Sequence, residues 1–177
     1  MTKLRLATTW LDGCSGCHMS LLDMDERLIV LAEKVDIVYG PLVDFKKIPK
    51  NLDIAVVEGA VSNEEDLEKV RKLRKRSKLL VALGDCAVTA NVPAMRNSFG
   101  TDTVLDRAYI ENANLHPQIP TQIIPPLLPH ARPVREIVPV DVFIPGCPPP
   151  ADVIFFALCE LVEGRIPNLN DRTRFGK

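Results

Sequence analysis

Four cysteines in this chain each follow a run of apolar residues that predicts a β-strand. Cys14 and Cys17 come after the first such run. Cys86 follows a later run, and Cys147 follows the last one. In a parallel sheet the carboxyl ends of the strands share one edge, where open α/β sheets bind their ligands. We therefore expect these four thiols, although remote in sequence, to meet at that edge.

A glycine accompanies each of these cysteines, and the four glycines are Gly13, Gly16, Gly84 and Gly146. Glycine lets the backbone come close to a bulky inorganic centre and direct N–H groups at its sulfurs. Cys17 also opens a predicted helix, whose positive N-terminal end favours an anionic group. Four thiolates in this setting are suited to one 4Fe-4S cluster.

Other interpretations of the cysteines stay open. Zinc also takes four thiolates, although its sites usually have two closely spaced pairs and here only Cys14 and Cys17 form one. A redox dithiol of the thioredoxin type would use that pair but leave Cys86 and Cys147 unexplained. All four could also be core residues. The fifth cysteine, Cys159, lies within a predicted helix with no turn or glycine beside it, and we expect an inert packed thiol.

Strands alternating with helices must position these cysteines. Period-two alternation and short Val/Ile-rich runs predict strands, and apolar residues spaced by three or four predict helices. The predicted strands cover residues 3–9, 35–39, 52–58, 79–83 and 140–144. The predicted helices cover residues 17–32, a stretch after a capping box at Ser62 and Glu65, and residues 151–163. This order predicts an α/β domain with an open, doubly wound parallel sheet, in flavodoxin-like or Rossmann-like strand order.

The segment from residue 91 to residue 139 is long and irregular. Eleven of the 15 prolines lie between Pro117 and Pro150, and the segment shows little periodicity, so it is too long for an ordinary loop. Its apolar residues argue against disorder; they include Ile119, Ile123, Ile124, Leu127, Leu128, Ile137 and Val138. We expect a layer that faces a partner, rather than a cover for the chain's own core, within a single domain over residues 1–177.

Composition excludes several classes of protein. The 177 residues carry 22 Lys and Arg against 23 Asp and Glu, so the net charge of -1 gives no electrostatic footprint for nucleic acid or an anionic membrane. No apolar run is long enough to span a bilayer, and the first residues lack the order of a signal peptide. We expect a cytoplasmic protein without a disulfide framework, since five cysteines are few and odd in number.

Three motifs of the chain resemble those of a known family, and the resemblance runs over most of the chain. Residues 10–23, WLDGCSGCHMSLLD, resemble the N-terminal cluster motif in the small subunit of nickel-iron hydrogenases, especially the cytoplasmic bidirectional type that reduces NAD(P). Residues 84–86, GDC, and 145–148, PGCP, resemble that family's later ligand sites. The resemblance implies a flavodoxin-like small subunit that relays single electrons through a proximal 4Fe-4S cluster. The implied cluster ligands are Cys14, Cys17, Cys86 and Cys147.

The resemblance also implies partners. A large subunit would carry the nickel-iron centre and the chemistry of H2, and diaphorase subunits with Fe-S centres, FMN and NAD(H) would receive the electrons. Many hydrogenase small subunits extend into a second domain with further clusters, whereas this chain ends soon after Cys147, so we expect direct transfer to another subunit. Alternatives are an Fe-S subunit of a related NADH:quinone oxidoreductase-like or other hydrogenase complex, or a zinc- or FMN-binding interaction module. Subunits of the NADH:quinone oxidoreductase typically carry adjacent cysteines at the first ligand site, whereas two residues separate Cys14 from Cys17 here. This difference favours the hydrogenase branch.

Several other polar residues are weaker candidates. His18 follows a predicted ligand and either acts beside the cluster or is a buried helix-start histidine. Glu58 ends an apolar strand, where the resemblance implies a polar role near the subunit interface and the alternative is a contact with a helix terminus. We do not expect metal binding by His116 or His130. The basic residues 71–76 follow acidic residues 64–68, which predicts a solvated helix whose charges complement its dipole.

Overall fold

A five-stranded parallel sheet forms the centre of the protein. The computed structural model describes residues 3–173, so the ends of the predicted domain, residues 1–2 and 174–177, lie outside the described residues. The strands of the sheet are β1 (Leu4–Trp10), β2 (Val35–Tyr39), β3 (Leu52–Glu58), β5 (Ser77–Leu83) and β7 (Val142–Ile144). Their spatial order is β2-β1-β3-β5-β7, and every neighbouring pair is parallel. Counted in chain order within this sheet, that is the 2-1-3-4-5 order of flavodoxin-like folds, which confirms the predicted fold class.

Helices cover both faces of this sheet. They are α1 (Gly16–Leu22), α2 (Arg27–Lys34), α3 (Glu64–Arg76), α4 (Asp85–Thr89) and α6 (Ala151–Val162). Another helix, α5 (Thr101–Asp106), contributes no residue to the core on either face. Within β3, Ile54 and Val56 pack in the core beneath α1, α2 and α6, while Ala55 and Val57 pack in the core beneath α3 and α4. Since successive strand residues point to opposite faces, the continuous apolar run in β3 serves both cores.

The predicted helix over residues 17–32 is wrong as one element, because α1 ends at Leu22 and α2 begins at Arg27. Between them Asp25 adopts a left-handed backbone with φ 52°. Aspartate tolerates this conformation because its short polar side chain bonds locally. Met24 is still only 1% exposed. The helical spacing of apolar residues therefore continues across the turn and hides the break.

The predicted capping box of α3 is also wrong, by one residue. Ser62 belongs to β4 (Val61–Asn63), and Asn63 is the N-cap. The Asn63 side-chain oxygen accepts from the backbone N of Asp66 at 2.8 Å, and the Asn63 amide nitrogen donates to the Asp66 carboxylate at 2.8 Å. The charge pattern of α3 is as predicted, with acids in its first turn and bases in its last.

The segment 91–139 holds more regular structure than the sequence indicates. It contains a 3₁₀ helix (Val92–Ser98), α5, a π-helical turn (Arg107–Glu111) and strand β6 (Leu127–Arg132), followed by a short 3₁₀ turn (Val134–Glu136). β6 pairs antiparallel with β4 and forms a separate two-stranded sheet. The proline-rich stretch between residues 112 and 126 is irregular, as expected. Among residues 3–173, no helix is long and apolar enough to cross a membrane.

Candidate metal centre

The loops that follow β1 and β3 are joined at the point where the strand order reverses. Asp12 and Ala60 exchange backbone hydrogen bonds of 3.1 and 2.8 Å, and the backbone N of Leu11 donates to the carbonyl of Glu58 at 2.9 Å. This crevice is the usual ligand site of the fold. Cys14 is exposed in the first loop, and Cys17 is buried in the first turn of α1.

Glu58 holds the start of α1 against β3. Its carboxylate accepts hydrogen bonds from the backbone N of Cys17 at 3.1 Å and of His18 at 2.9 Å, and it also contacts His18 Nδ1. These are two of the N–H groups that a helix start leaves without intrahelical partners. Glu58 and His18 are each 3% exposed. The structure thus places Glu58 as a helix-terminus contact, one of the two roles that the sequence leaves open.

His18 is enclosed on more than one side. Its ring packs edge-on against Trp10, with 5.4 Å between the ring centroids. Nδ1 faces Glu58, and Nε2 is buried with no hydrogen-bond partner among residues 3–173. His18 is therefore a buried helix-start histidine, fixed in orientation by a carboxylate and an indole.

The turns that carry Cys86 and Cys147 are tied to each other. The backbone N of Gly84 donates to the carbonyl of Ile144 at 2.8 Å, and the backbone N of Asp85 donates to the carbonyl of Gly146 at 2.9 Å. The Asp85 carboxylate accepts from the backbone N of Gly146 at 2.7 Å. These bonds extend the pairing of β5 with β7 past the strand ends, and they fix the two cysteine turns side by side.

Contacts at the glycines show how close these loops come to one another. Gly84 has φ +82°, and a Cβ there would overlap the Cys17 sulfur. A Cβ at Gly13 would lie 3.9 Å from the Cys86 sulfur. The first loop therefore touches the Cys86 turn, and the turn before Cys86 touches Cys17. The absence of a side chain at Gly84 lets the turn before Cys86 approach the Cys17 sulfur.

The charges of the thiols also report on their proximity. The pKa of Cys17 is raised well above its ordinary value, first by burial and then by the negative charges of Glu58, Cys86, Cys14 and Cys147. Burial likewise raises the pKa of Cys86 to about 11, and the charges of Cys147 and Cys14 add to this effect. The structure thus brings the four predicted cysteines into one electrostatic neighbourhood. A positively charged inorganic centre would relieve this repulsion between thiolates.

Hydrogen-bond donors reach the sulfurs from nearby backbone and side-chain groups. The backbone N of Gly16 donates to Cys14 Sγ at 3.4 Å, and the Asn91 side-chain amide donates to Cys147 Sγ at 3.7 Å. Such donors stabilise thiolates and tune the potential of an iron-sulfur centre. Four cysteine sulfurs at one sheet edge with N–H donors around them fit the donor set of a 4Fe-4S cluster.

No group of three or more His, Cys, Asp or Glu side chains within residues 3–173 is arranged to hold one metal ion. A 4Fe-4S cluster would be held by four Cys thiolates that need not converge on one ion. His116 and His130 are exposed in the segment 91–139. Cys159 lies in α6, where burial raises its pKa and its charged neighbours are Lys34, Glu160 and Glu163.

Two residues of this site are not identified from the sequence. Asp85 lies directly beside Cys86, so its position was a usable signal, but the bond to Gly146 depends on the pairing of β5 with β7. Asn91 gives no local signal, because it begins the segment that looks irregular and reaches Cys147 only through the fold.

Comparison with known proteins places the chain among subunits of redox complexes. The family model described as "NADH ubiquinone oxidoreductase, 20 Kd subunit" matches residues 14–161. The chain is 44% identical to the NAD-reducing hydrogenase HoxS subunit delta of Cupriavidus necator, over 92% of this chain and 80% of that protein. It is 37% identical to a subunit of the F420-non-reducing hydrogenase of Methanocaldococcus jannaschii, over 89% of this chain but only 55% of that relative's length.

A solved structure shares nearly the whole fold. It is the crystal structure of an NAD+-reducing [NiFe]-hydrogenase in the H2-reduced state, with a TM-score of 0.93 and 41% sequence identity. The match covers 98% of this chain and 99% of that one. The resemblance to hydrogenase small subunits that the motifs predict is thereby confirmed.

Proposed function

The chain belongs to the family of the NADH ubiquinone oxidoreductase 20 kDa subunit, and from its similarity to subunits of NAD-reducing hydrogenases we propose that it is the electron-transfer small subunit of a cytoplasmic nickel-iron hydrogenase. Its similarity to the delta subunit of an NAD-reducing hydrogenase supports this branch of the family. The observation that carries the proposal is that all four cysteines follow strands of the parallel sheet at its carboxyl edge, where Gly84 lies against the Cys17 sulfur and Gly13 lies near the Cys86 sulfur.

The cluster ligands in this proposal are Cys14, Cys17, Cys86 and Cys147, within a single domain over residues 1–177. When bound, a 4Fe-4S cluster accepts and donates one electron at a time. The chain's own residues supply the rest of the site. Glu58 fixes Cys17 at the start of α1, and Asp85 fixes the Cys147 turn beside the Cys86 turn.

The chain would relay electrons between two partners. A large subunit would hold the nickel-iron centre that converts H2 to protons and electrons, and a diaphorase module with Fe-S centres, FMN and NAD(H) would reduce NAD(P). The Cupriavidus necator relative and the similar crystal structure are both NAD-reducing hydrogenases, which supports this pairing. The chain's contribution is to position the relay centre rather than to perform the H2 reaction.

Exposed apolar residues beside the site support a large-subunit contact there. Val92, Met95 and Phe99 are 59%, 69% and 68% exposed, and they follow Asn91, which bonds Cys147. Soluble proteins seldom leave such patches uncovered. A large subunit seated on this surface would cover the apolar side chains and adjoin the exposed Cys14 and Cys147.

A second candidate function is an Fe-S subunit of a related complex that transfers electrons to a quinone. The name of the matching family favours this alternative. A zinc- or FMN-binding interaction module is a further alternative, in which the same strand-end crevice would hold the metal or the flavin. Neither alternative accounts for the resemblance of residues 10–23 to the hydrogenase motif.

Metal analysis of the anaerobically purified complex tests the proposal. We expect EPR of the reduced wild-type complex to show a 4Fe-4S signal from this chain. Replacing any one of the four cysteines by Ala should remove that signal and lower the iron and sulfide content of the complex by the amount that one cluster contains. Cys159→Ala is the matched control and should keep both the signal and H2-dependent NAD(P) reduction. Zinc without sulfide at this site would overturn the proposal, as would loss of the cluster in Cys159→Ala.

A further inference from the structure

A groove lined by cations lies at the end of the sheet opposite to the cysteines. It has a volume of about 590 Å³ and is lined by Lys50, Asn51, Arg71, Lys72, Lys75 and Arg76. Asn51 directly precedes β3, and Arg76 directly precedes β5, so the groove lies where these parallel strands begin. Each strand has seven residues and separates the groove from the cysteine edge by roughly 20 Å.

The groove has two walls that are bonded to each other. Arg76, at the end of α3, donates to the carbonyl of Ile48, which lies in the loop that carries Lys50. Arg74 takes a different role, because it bonds Asp141 and the carbonyls of Ser77 and Lys78 and so closes α3 onto the sheet. The remaining basic side chains of the groove are not used in this way, and Lys50, Arg71, Lys72 and Lys75 are exposed.

The cations of the groove lack acidic partners within residues 3–173. The ion pairs of that part of the chain involve none of the five Lys and Arg residues of the groove. Glu68 lies one helical turn before Lys72 but makes no ion pair with it. Bases in the last turn of α3 complement the helix dipole, but Arg71, Lys72 and Lys50 lie outside that turn. Helix stability therefore does not account for the whole cluster.

The local structure favours an acidic protein surface over a small phosphate ligand. The helix end at this groove is a C-terminus, which presents carbonyls of partial negative charge rather than the N–H groups that bind phosphate. Lysine ammonium groups on flexible stems suit several separate carboxylates, whereas phosphate sites typically use bidentate arginines or backbone nests. Excess positive charge in a chain of net charge -1 also gives directional attraction to an acidic partner.

We propose that this basic groove docks an acidic surface of another subunit in the complex, one that does not cover the cysteine edge. The proposal rests on the proposed function in that the chain works within a multi-subunit assembly. It also replaces the expectation that residues 71–76 form only a solvated helix face. Because the groove and the cysteines occupy opposite ends of the sheet, two partners can bind the chain at once.

Lysine reactivity in the purified complex tests the proposal directly. We expect Lys50, Lys72 and Lys75 to be acetylated at least about tenfold more slowly than Lys47, which is exposed on the same loop but does not line the groove. A carbodiimide that joins lysines to carboxylates should link the groove lysines to Asp or Glu residues of another subunit. Reactivity equal to that of Lys47, without such links, would overturn the proposal.

Charge reversal gives an independent test. In Lys72→Glu/Lys75→Glu, we expect native mass spectrometry at low salt to show loss of one subunit while the large subunit and the iron content are retained. The matched control is Lys3→Glu/Lys34→Glu, which changes the net charge equally but alters exposed pairs beside β1 and on α2. Unchanged composition and salt stability in the groove variant would overturn the proposal.

Two further outcomes separate this proposal from others. If ATP or inorganic pyrophosphate protects the groove lysines in the complex while no subunit is cross-linked to them, the groove is a phosphate site and the docking proposal is wrong. If the wild-type complex lacks the 4Fe-4S signal but still shows the cross-links, the proposed function fails and the docking surface stands.

Discussion

At the scale of single residues, Glu58 is the residue that joins the sheet to the cysteine site. It is 3% exposed and accepts from the backbone N of both Cys17 and His18, so it fixes the first turn of α1 from the neighbouring strand β3. Its role is one of positioning, since it acts on Cys17 through the backbone.

Replacing Glu58 by Ala should loosen that turn. The change leaves two buried N–H groups and His18 Nδ1 without an acceptor, and each unsatisfied buried group costs about 1–3 kcal/mol. We expect a lower thermal midpoint and a lower iron content per chain, with a smaller loss in Glu58→Gln, which keeps one acceptor oxygen. Glu33→Ala, at an exposed site on α2, is the control. Equal effects of Glu58→Ala and Glu33→Ala would contradict the positioning role.

Gly84 is the second residue on which the geometry of the cysteine site depends, because only a residue without a Cβ fits beside the Cys17 sulfur. In Gly84→Ala, the new Cβ overlaps the Cys17 sulfur, so we expect loss of the cluster measured as iron and sulfide per chain. Gly100→Ala is a matched control, because Gly100 has nearly the same φ, +81°, but open space around its Cβ position. Both variants carry the same backbone strain, so loss in both alike would show that strain rather than the sulfur contact is responsible.

The sequence was sufficient to select the four cysteines as candidate ligands, because residue type, flanking glycines and strand-end positions coincide in it. It was not sufficient to find Asn91 or to decide the role of Glu58. The bond from Asn91 to Cys147 and the bonds from Cys17 and His18 to Glu58 join residues far apart in the chain. Such contacts depend on strand order and register, and neither follows from local patterns.

At the scale of elements, the start of α3 contains a buried acid. Asp66 is 5% exposed and exchanges hydrogen bonds with Asn63, the N-cap. Burial is the largest cause that raises the pKa of Asp66, to about 6 from 3.8. The folded protein therefore holds this proton more tightly than the unfolded chain does.

The contribution of Asp66 to stability should consequently fall as the pH rises through the range from about 4 to about 6. Below this range both states are protonated, and above it the folded state contains a poorly solvated carboxylate, at a cost of at most about 3 kcal/mol. We expect Asp66→Asn to remove this dependence, so that its free energy of unfolding relative to wild type increases between pH 4.5 and pH 7 in urea titrations. The exposed neighbour change Glu65→Gln is the control. A pH-independent difference for Asp66→Asn would contradict the assignment.

Element boundaries show where local patterns are reliable and where they are not. The central strands β3 and β5 were predictable because each contains a short apolar run that is buried on both faces. The break between α1 and α2 was not, because Met24 keeps its place in the core across the turn. The strand β6 was also missed, since its partner β4 lies far away in sequence and three-residue strands give no pattern.

At the scale of the whole molecule, the segment 91–139 combines anchored and uncovered parts. Arg96 donates to the carbonyls of Ser62 and Leu128, and Asn97 exchanges hydrogen bonds with Ala131, so the segment is tied to the β4–β6 sheet. Yet Leu115 is 82% exposed, and Ile123 is fully exposed. This surface is the one we expect a partner to cover.

Hydrogen exchange tests that expectation. Amides in residues 91–139 should exchange markedly more slowly when the large subunit is bound than after it is removed, because a partner would exclude water from the uncovered apolar side chains. Amides of β3 serve as the internal control, since this strand lies at the centre of the sheet in either state. Equal protection of residues 91–139 in the two states would count against a partner-facing layer.

The spread of the cysteines along the chain has a consequence for biogenesis. The four sulfurs come from residue 14 to residue 147 and meet only when β1, β5 and β7 are all in place. A chain that has not completed β7 offers at most three of the four thiols in the right geometry. If the proposed ligand set is right, a 4Fe-4S cluster would therefore find all four of its ligands only after the last strand of the sheet has been inserted.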